Sequence, residues 1–228
     1  MIEVGHTKIY CTVSIEDKVP HFISGKGEGW LTSEYSLLPR STHTRGKRER
    51  MKVGGRTQEI QRLIGRSLRS IIDFKALGEK TLLVDCDVLQ ADGGTRCASI
   101  TGSYVALSLA VERLMKEGSI KKNPILTHAA AVSAGVVPVK EGMEKHACML
   151  DLAYEEDSQA EVDLNVVGTA DGDIIEVQGT AEGMAFQRAK LDQMLDLGQK
   201  GLSQLIEAQK EAVNRGIESM PPRAKGTR

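Results

Sequence analysis

Three groups of residues in this 228-residue chain have the types and spacing to do chemistry. The first is ADGGTR, Ala91 to Arg96, where two glycines let the backbone turn tightly and expose its N–H groups just ahead of an apolar helical run. A helix N-terminus favours an anion there, Thr95 adds a hydroxyl, and Arg96 adds a forked, charge-assisted donor suited to phosphate oxygens. The stretch matches neither G-x-x-x-x-G-K-[ST] nor G-x-G-x-x-G. On composition alone, an anion seat involving Gly94, Thr95 and Arg96 and a plain capped turn stand level.

The second group is acidic: YEEDSQAEVDLN, Tyr154 to Asn165, holds Glu155, Glu156, Asp157, Glu161 and Asp163. A strand beginning near Val162 puts Val162, Leu164 and Val166 on one face and Asp163 with Asn165 on the other. Asp157 can approach Asp163 from the preceding loop, and paired hard carboxylates typify Mg²⁺ held near phosphates. Taken singly, such a run is more often a solvated loop. The third group is basic: RSTHTRGKRERMKVGGR carries Arg40, Arg45, Lys47, Arg48, Arg50, Lys52 and Arg56 against the single acid Glu49. A flexible cationic run can meet several backbone phosphates of a nucleic acid without sequence preference, although an ordinary solvated charge run has the same composition. His6, His21, His43, His128 and His146 show no metal-ligand spacing, and no G-x-S-x-G is present. Together the groups describe phosphate chemistry in which the protein supplies position and charge rather than a nucleophile.

The elements that must hold these groups follow from periodicity. Thr7 to Glu16 and Gly29 to Leu38 are β-branched and aromatic with partial alternation, and read as strands. Ile60, Leu63, Ile64, Leu68, Ile71 and Ile72 form the stripe of an amphipathic helix over Thr57 to Phe74. Lys80 to Gln90 reads as a strand, and a central helix opens near Ser99 and stops at Gly118. Four strands follow, in ILTHAAAVSAGVV, HACMLDLAY, VDLNVVGT and DIIEVQGT, the last two joined as a hairpin across ADGD. Ala185 to Asn214 is a long helical stretch with a possible break near Gly198 or Gly201, and PPRAKGTR is a polar tail. So many consecutive strands exclude a doubly wound parallel sheet and point to an α+β domain, with mixed sheets covering central helices.

At 40% hydrophobic the chain can bury a substantial core. It lacks the roughly 20-residue apolar stretch of a membrane span, and Met1 to Tyr10 lack a signal-peptide pattern, so a cytoplasmic location is expected. Cys11, Cys86, Cys97 and Cys148 are scattered without zinc spacing. Thirty Lys and Arg against thirty-one Asp and Glu give a net charge of −1, which offers nucleic acid no global attraction.

GWLTSEYSLLPRSTHTR, GGRTQEIQRLIGRSLR, DCDVLQADGGTRCASITG, YEEDSQAEVDLNVV and EVQGTAEG, taken in order, closely resemble the ribonuclease PH family of phosphate-dependent exoribonucleases over nearly the whole chain. The resemblance implies a ribosomal-S5-like α+β fold and a homohexameric ring, a trimer of dimers, whose arginine-lined channel gathers RNA. It also implies removal of nucleotides from RNA 3′ ends, notably of tRNA precursors, with inorganic phosphate as co-substrate and nucleoside diphosphates as products. By the same resemblance Arg56, Gly94, Thr95 and Arg96 bind phosphate, and Asp157 and Asp163 are the catalytic pair holding Mg²⁺ or Mn²⁺. Arg40, Arg45 and Arg48 bind RNA. A single domain over 1–217 with a disordered tail over 218–228 is expected.

The family pattern includes an earlier segment, with a basic Arg-x-x-Gly-Arg element and a first strand, and this chain starts inside it at MIEVG. A sheet edge is therefore expected to lack a partner, and a poorly assembled chain with little activity is one competing reading. Cys97 stands where the family usually has Thr, and the basic loop is shorter. A non-catalytic RNA-binding subunit of an exosome-like ring is the other competing reading.

Overall fold

The computed structural model describes residues 1–49, 52–139, 146–183 and 185–221. Its elements are β1 (Ile2–Val4), β2 (Thr7–Glu16), β3 (Trp30–Leu37), α1 (Gly55–Arg69), α2 (Phe74–Leu77), β4 (Thr81–Gln90) and α3 (Thr95–Lys116), followed by β5 (Ala129–Pro138), β6 (His146–Leu150), α4 (Tyr154–Asp157), β7 (Val162–Thr169), β8 (Ile174–Ala181) and α5 (Arg188–Glu218). They build two four-stranded sheets of order β1-β2-β4-β3 and β6-β5-β7-β8. The β3 and β4 strands run parallel, joined by the α1 crossover, while every pairing in the second sheet is antiparallel.

The layering follows from where the apolar faces point. Helices α1 and α3 lie between the sheets, and one core joins Ile60, Leu63, Ile64 and Leu68 of α1, Ile100 and Leu107 of α3, and Ile9, Leu82, Val84 and Val88 of the first sheet. The same core includes Ala129 and Ala131 of β5, whereas Ala130, Val132 and Ala134 face a second core with Met194, Leu202 and Ile206 of α5. Strand β5 is thus covered on both faces, which is why its residues read as an unbroken small and apolar run rather than an alternation. The result is four layers: sheet, helices, sheet, helix. Truncating Leu107, wholly buried at the centre, to alanine would cost about 2–5 kcal/mol.

Because α3 is buried on most of its surface, its small polar residues look for partners in the protein; the Ser99 hydroxyl has none among the described residues, but others do. The Thr101 hydroxyl donates to Ala131 O (3.2 Å) and accepts from Ala131 N (3.0 Å), riveting α3 to β5. Gln209 of α5 donates to both Thr101 O (3.0 Å) and Ala129 O (2.8 Å).

Several expectations shift. Helix α3 begins at Thr95 rather than near Ser99, because Gly94 itself is the N-cap, in the left-handed conformation, so Thr95 and Arg96 form the first helical turn. Strand β6 stops at Leu150, and Tyr154 to Asp157, read as strand end and loop, form α4. Helix α5 is unbroken: Gly198 and Gly201 let it press against Val166, Leu150 and Val132, where an added Cβ would come within 3.3 and 3.0 Å of those side chains. It runs to Glu218, so the expected boundary at 217 falls inside it, and residues 222–228 of the expected tail lie outside the described residues. The three-residue β1 covers β2 only from Thr7 to Ile9, leaving Tyr10 to Glu16 without a neighbour on that side among the described residues. No helix among the described residues is long and apolar enough to cross a membrane.

Candidate active site

Strand β4 delivers the chain into Ala91–Gly94 beside the end of β6. Gly93 and Gly94 both have positive φ, 75° and 55°, which side-chain-bearing residues rarely adopt. Thr7 pins the turn from both directions, its hydroxyl accepting from Asp92 N (2.8 Å) and donating to Gly93 O (2.7 Å). The Asp92 carboxylate reaches across to accept from Tyr154 N (3.3 Å), tying the turn to the start of α4. Contact is close: a Cβ on Gly93 would sit 2.2 Å from Leu152 O. Asp151, the only non-glycine with positive φ (57°) among the described residues, turns the chain from β6 into this corner.

The first turn of α3 has no side-chain cap, so its leading N–H groups stay available to an anion. Thr95 is buried, and the phenolic O–H of Tyr35 on β3 meets its Oγ1 at 2.9 Å. Burial pushes the Tyr35 pKa up despite that hydrogen bond and the nearby Arg56 and Arg96, so the phenol stays protonated. Arg96 is mostly enclosed, its Nη1 donating to Gln178 Oε1 (3.1 Å) and, more weakly, to Glu59 Oε1 (3.4 Å). Arg56, near the start of α1, joins it at the rim.

The opposite wall is carboxylate. A cavity of about 540 Å³ is lined by Arg56, Gly94, Thr95, Arg96, Asp157, Asp163 and Asn165, with Tyr35, His43 and Tyr154 among its other walls. Burial raises the Asp163 pKa above the ordinary carboxylate value, and the charge of Asp157 raises it further. Arg96 and a hydrogen bond from Asn165 oppose that rise. Cys97, fully enclosed in α3, stays a thiol because burial pushes its pKa up, and it donates to Asn165 Oδ1 at 3.1 Å. The Asn165 amide then faces Asp163 Oδ2 at 3.5 Å. Cysteine thus serves as a weak donor to Asn165.

Six of the expected residues, Arg56, Gly94, Thr95, Arg96, Asp157 and Asp163, therefore meet in one cavity. The basic loop behaves otherwise. Arg40 turns inward on its own loop, donating to His43 O (2.5 Å) and Thr42 O (3.2 Å), and Arg45 and Arg48 are exposed outside that cavity. Arg50 lies outside the described residues. The bracing by Arg40 sets the His43 ring against Tyr154, centroids 5.5 Å apart, at the cavity wall. Thr7, Tyr35, Asp92, Glu59 and Gln178 went unrecognised in the sequence. Glu176 and Gln178 are alternate polar positions of a strand, but Ile174 falls on the same period-two face, so no local pattern marked Gln178.

Fold and cavity define an α+β protein with a two-walled site, one wall for an anion and one of paired carboxylates. The fold is shared with rice (Oryza sativa) Rrp46, at TM-score 0.67 and 15% identity over 92% of this chain and 84% of that one. It is shared also with a chain of the Archaeoglobus fulgidus exosome with RNA bound to the active site, at TM-score 0.69 and 19% identity over 90% and 80%. Family models described as 3′ exoribonuclease family, domain 1 and domain 2, match residues 1–111 and 128–201, and the chain belongs to that family. Relatives named Ribonuclease PH include those of Bacillus pumilus, 53% identical over 96% of this chain and 88% of the relative, and Syntrophomonas wolfei, 56% identical over 92% and 86%. That of Corynebacterium kroppenstedtii is 54% identical over 99% and 87%.

Proposed function

We propose that this protein shortens RNA from its 3′ end by phosphorolysis, trimming tRNA precursors and other transcripts in the cytoplasm and releasing nucleoside diphosphates. The observation that carries the reading is the convergence of an arginine-bearing anion seat and a carboxylate pair on one cavity. The relatives named Ribonuclease PH and the 3′ exoribonuclease family models support the same activity.

Inorganic phosphate is held by Arg56, Thr95, Arg96 and the free N–H groups of α3, in reach of the last phosphodiester bond. A phosphate oxygen bonds to that phosphorus as the bond to the 3′ oxygen of the preceding nucleotide breaks, and the proton of monohydrogen phosphate balances the departing oxygen. Positive charge fixed at the seat stabilises the transition state without reorganisation, and holding both reactants replaces a bimolecular encounter. No side chain needs to act as a nucleophile. His43 and Tyr154 offer ring faces to the terminal base, and stacking accepts any base. Arg45 and Arg48 supply backbone affinity outside the cavity.

Asp157 and Asp163 fit a hard divalent cation, Mg²⁺ or Mn²⁺. Two carboxylates share one cavity, where burial and the charge of Asp157 raise the cost of charging Asp163, and such ions commonly take one or two carboxylates, with water and phosphate oxygens completing the shell. When bound, the ion would neutralise charge developing on the reacting phosphates. Assembly into a homohexameric ring belongs to the same proposal, and light scattering in solution tests it.

The deciding experiment incubates the protein with RNA bearing an unpaired 3′ tail and Mg²⁺, with and without phosphate. Phosphate-dependent release of nucleoside diphosphates is expected; release of monophosphates, or of nothing, overturns the reading. Retention of both arginines and both aspartates in one cavity favours an enzyme over a non-catalytic ring subunit.

A further inference from the structure

Beyond the groups that would touch phosphate, a chain of polar contacts leads from Arg96 away from the cavity to the surface of α1. Arg96 Nη1 donates to Gln178 Oε1 at 3.1 Å, and Gln178 Nε2 donates to Glu176 Oε1 at 3.1 Å. Glu176 in turn accepts two hydrogen bonds of 2.6 Å from Arg66, through Nε and Nη2. Glu176 and Gln178 are two residues apart on β8 and so share a face, and Gln178 pairs in register with Asn165 of β7. One strand register therefore presents Gln178 to the arginine and Asn165, with Asp163 two residues away, to the carboxylate wall.

We infer that Gln178 is a positioning residue for phosphate, acting as a neutral, oriented brace on Arg96. The inference rests on the phosphate role given to Arg96 above. Its physical basis is that an amide has an acceptor end and a donor end. The Glu176 carboxylate can only accept, so it holds the NH₂ end; the guanidinium can only donate, so it takes the oxygen. The ion pair between Arg66 and Glu176 thus fixes which way the amide points, and the amide fixes one nitrogen of Arg96. Nε and Nη2 of Arg96 have no protein acceptor among the described residues and remain for an anion. A carboxylate in place of the amide would hold the arginine equally well but would spend its charge. Glutamine holds it without adding a second carboxylate to the longer 3.4 Å contact that the same nitrogen makes with Glu59, and so leaves more of the charge to the ligand.

Two variants test this, read by steady-state kinetics in phosphate and in RNA separately, with thermal unfolding alongside. Gln178→Glu is expected to raise the phosphate KM roughly 10- to 100-fold, the scale of a competing charged hydrogen bond, with the RNA KM within about threefold of the parent. The exchange variant Arg66→Glu with Glu176→Arg restores the α1 to β8 ion pair with its charges reversed. The amide must then turn its oxygen toward the new cation and its NH₂ end toward Arg96. Against the single Arg66→Glu variant, which breaks the pair, the exchange variant is expected to regain stability toward the parent while its phosphate KM stays raised.

A role for Gln178 as mere glue between α1 and β8 predicts that the phosphate KM returns to the parent's value along with stability. That result, or a Gln178→Glu phosphate KM within twofold of the parent, overturns the inference. Calorimetric titration of inorganic phosphate without RNA reads the brace independently of turnover. A parent protein that binds phosphate but fails to degrade RNA would count against the proposed function and not against the brace. Equal phosphate affinity in the parent and Gln178→Glu would count against the brace.

Discussion

Replacing Gly93 by alanine separates two demands that the turn makes on its glycine. At φ 75° an alanine pays about 1–2 kcal/mol for left-handed backbone. Its Cβ would also lie 2.2 Å from Leu152 O, 3.1 Å from Ala153 C and 3.2 Å from Tyr154 N. Those are backbone atoms that cannot rotate aside, so the segment entering α4, or the turn itself, must retreat by about 1 Å to reach ordinary contact. Asp157 sits at the end of α4 and Arg96 just beyond the turn, so the retreat widens the gap between the two walls of the cavity.

A misplacement of that size costs about 100-fold in rate when reactants must be held in line. The control is Gly118→Ala, with φ 70° and no heavy atom within 4 Å of its added Cβ. It pays the torsional cost alone, lowering Tm by roughly 2–8 °C and leaving kcat unchanged. Phosphorolysis by both variants is to be assayed at a temperature where circular dichroism shows each fully folded, with phosphate and RNA saturating. If Gly93→Ala turns over as fast as Gly118→Ala there, the close approach at Leu152 does not set the geometry of the site.

Other outcomes follow from the same contacts. Asp163 has a raised pKa, so its contribution to stability is complete below the unfolded value near 3.8 and is lost as pH rises through the folded value. At neutral pH its ionised form is therefore a cost to stability. Asp163→Asn should raise Tm at neutral pH while abolishing turnover, and a lowered Tm would contradict this. The acid limb of the parent's pH–rate profile should lie above the ordinary carboxylate range and move to lower pH as Mg²⁺ is increased; an unmoving limb counts against metal binding by Asp163. Tyr35→Phe removes the 2.9 Å bond to Thr95 and should raise the phosphate KM about 2- to 12-fold with the RNA KM unchanged, read from separate saturation curves. Arg45→Ala with Arg48→Ala should weaken RNA binding and flatten its dependence on salt, and an unchanged slope in a filter-binding titration refutes their role. Tyr154→Ala should weaken binding of a short single-stranded RNA by about 1–3 kcal/mol, uniformly for all four terminal bases; loss at one base alone would contradict stacking.

What the sequence disclosed was governed by range. The stripe of α1 and the alternation in β2 and β7 are local signals, and the strands at Thr7–Glu16 and Val162–Thr169 appear with the boundaries read from them. The start of α3 misled because its cap is a glycine in left-handed backbone, which lacks the side-chain oxygen that marks a cap in sequence. Glycines in α5 read as breaks, although they serve the approach of a helix to a sheet. Asp157, Asp163 and Arg96 could be named from chemistry and resemblance. Their supports Tyr35, Thr7, Asp92 and Gln178 could not, because each is defined by a partner between 60 and 86 residues away in the chain. Arg40 shows the converse: its charge was legible, but its use as a clasp on its own loop depended on backbone geometry.

The two walls of the cavity come from different halves of the chain. Tyr35, Arg56, Thr95 and Arg96 lie within the residues matching the first family model, and Asp157, Asp163 and Gln178 within those matching the second. Neither half holds the whole cavity, so the proposed cutting is conditional on both being made and docked.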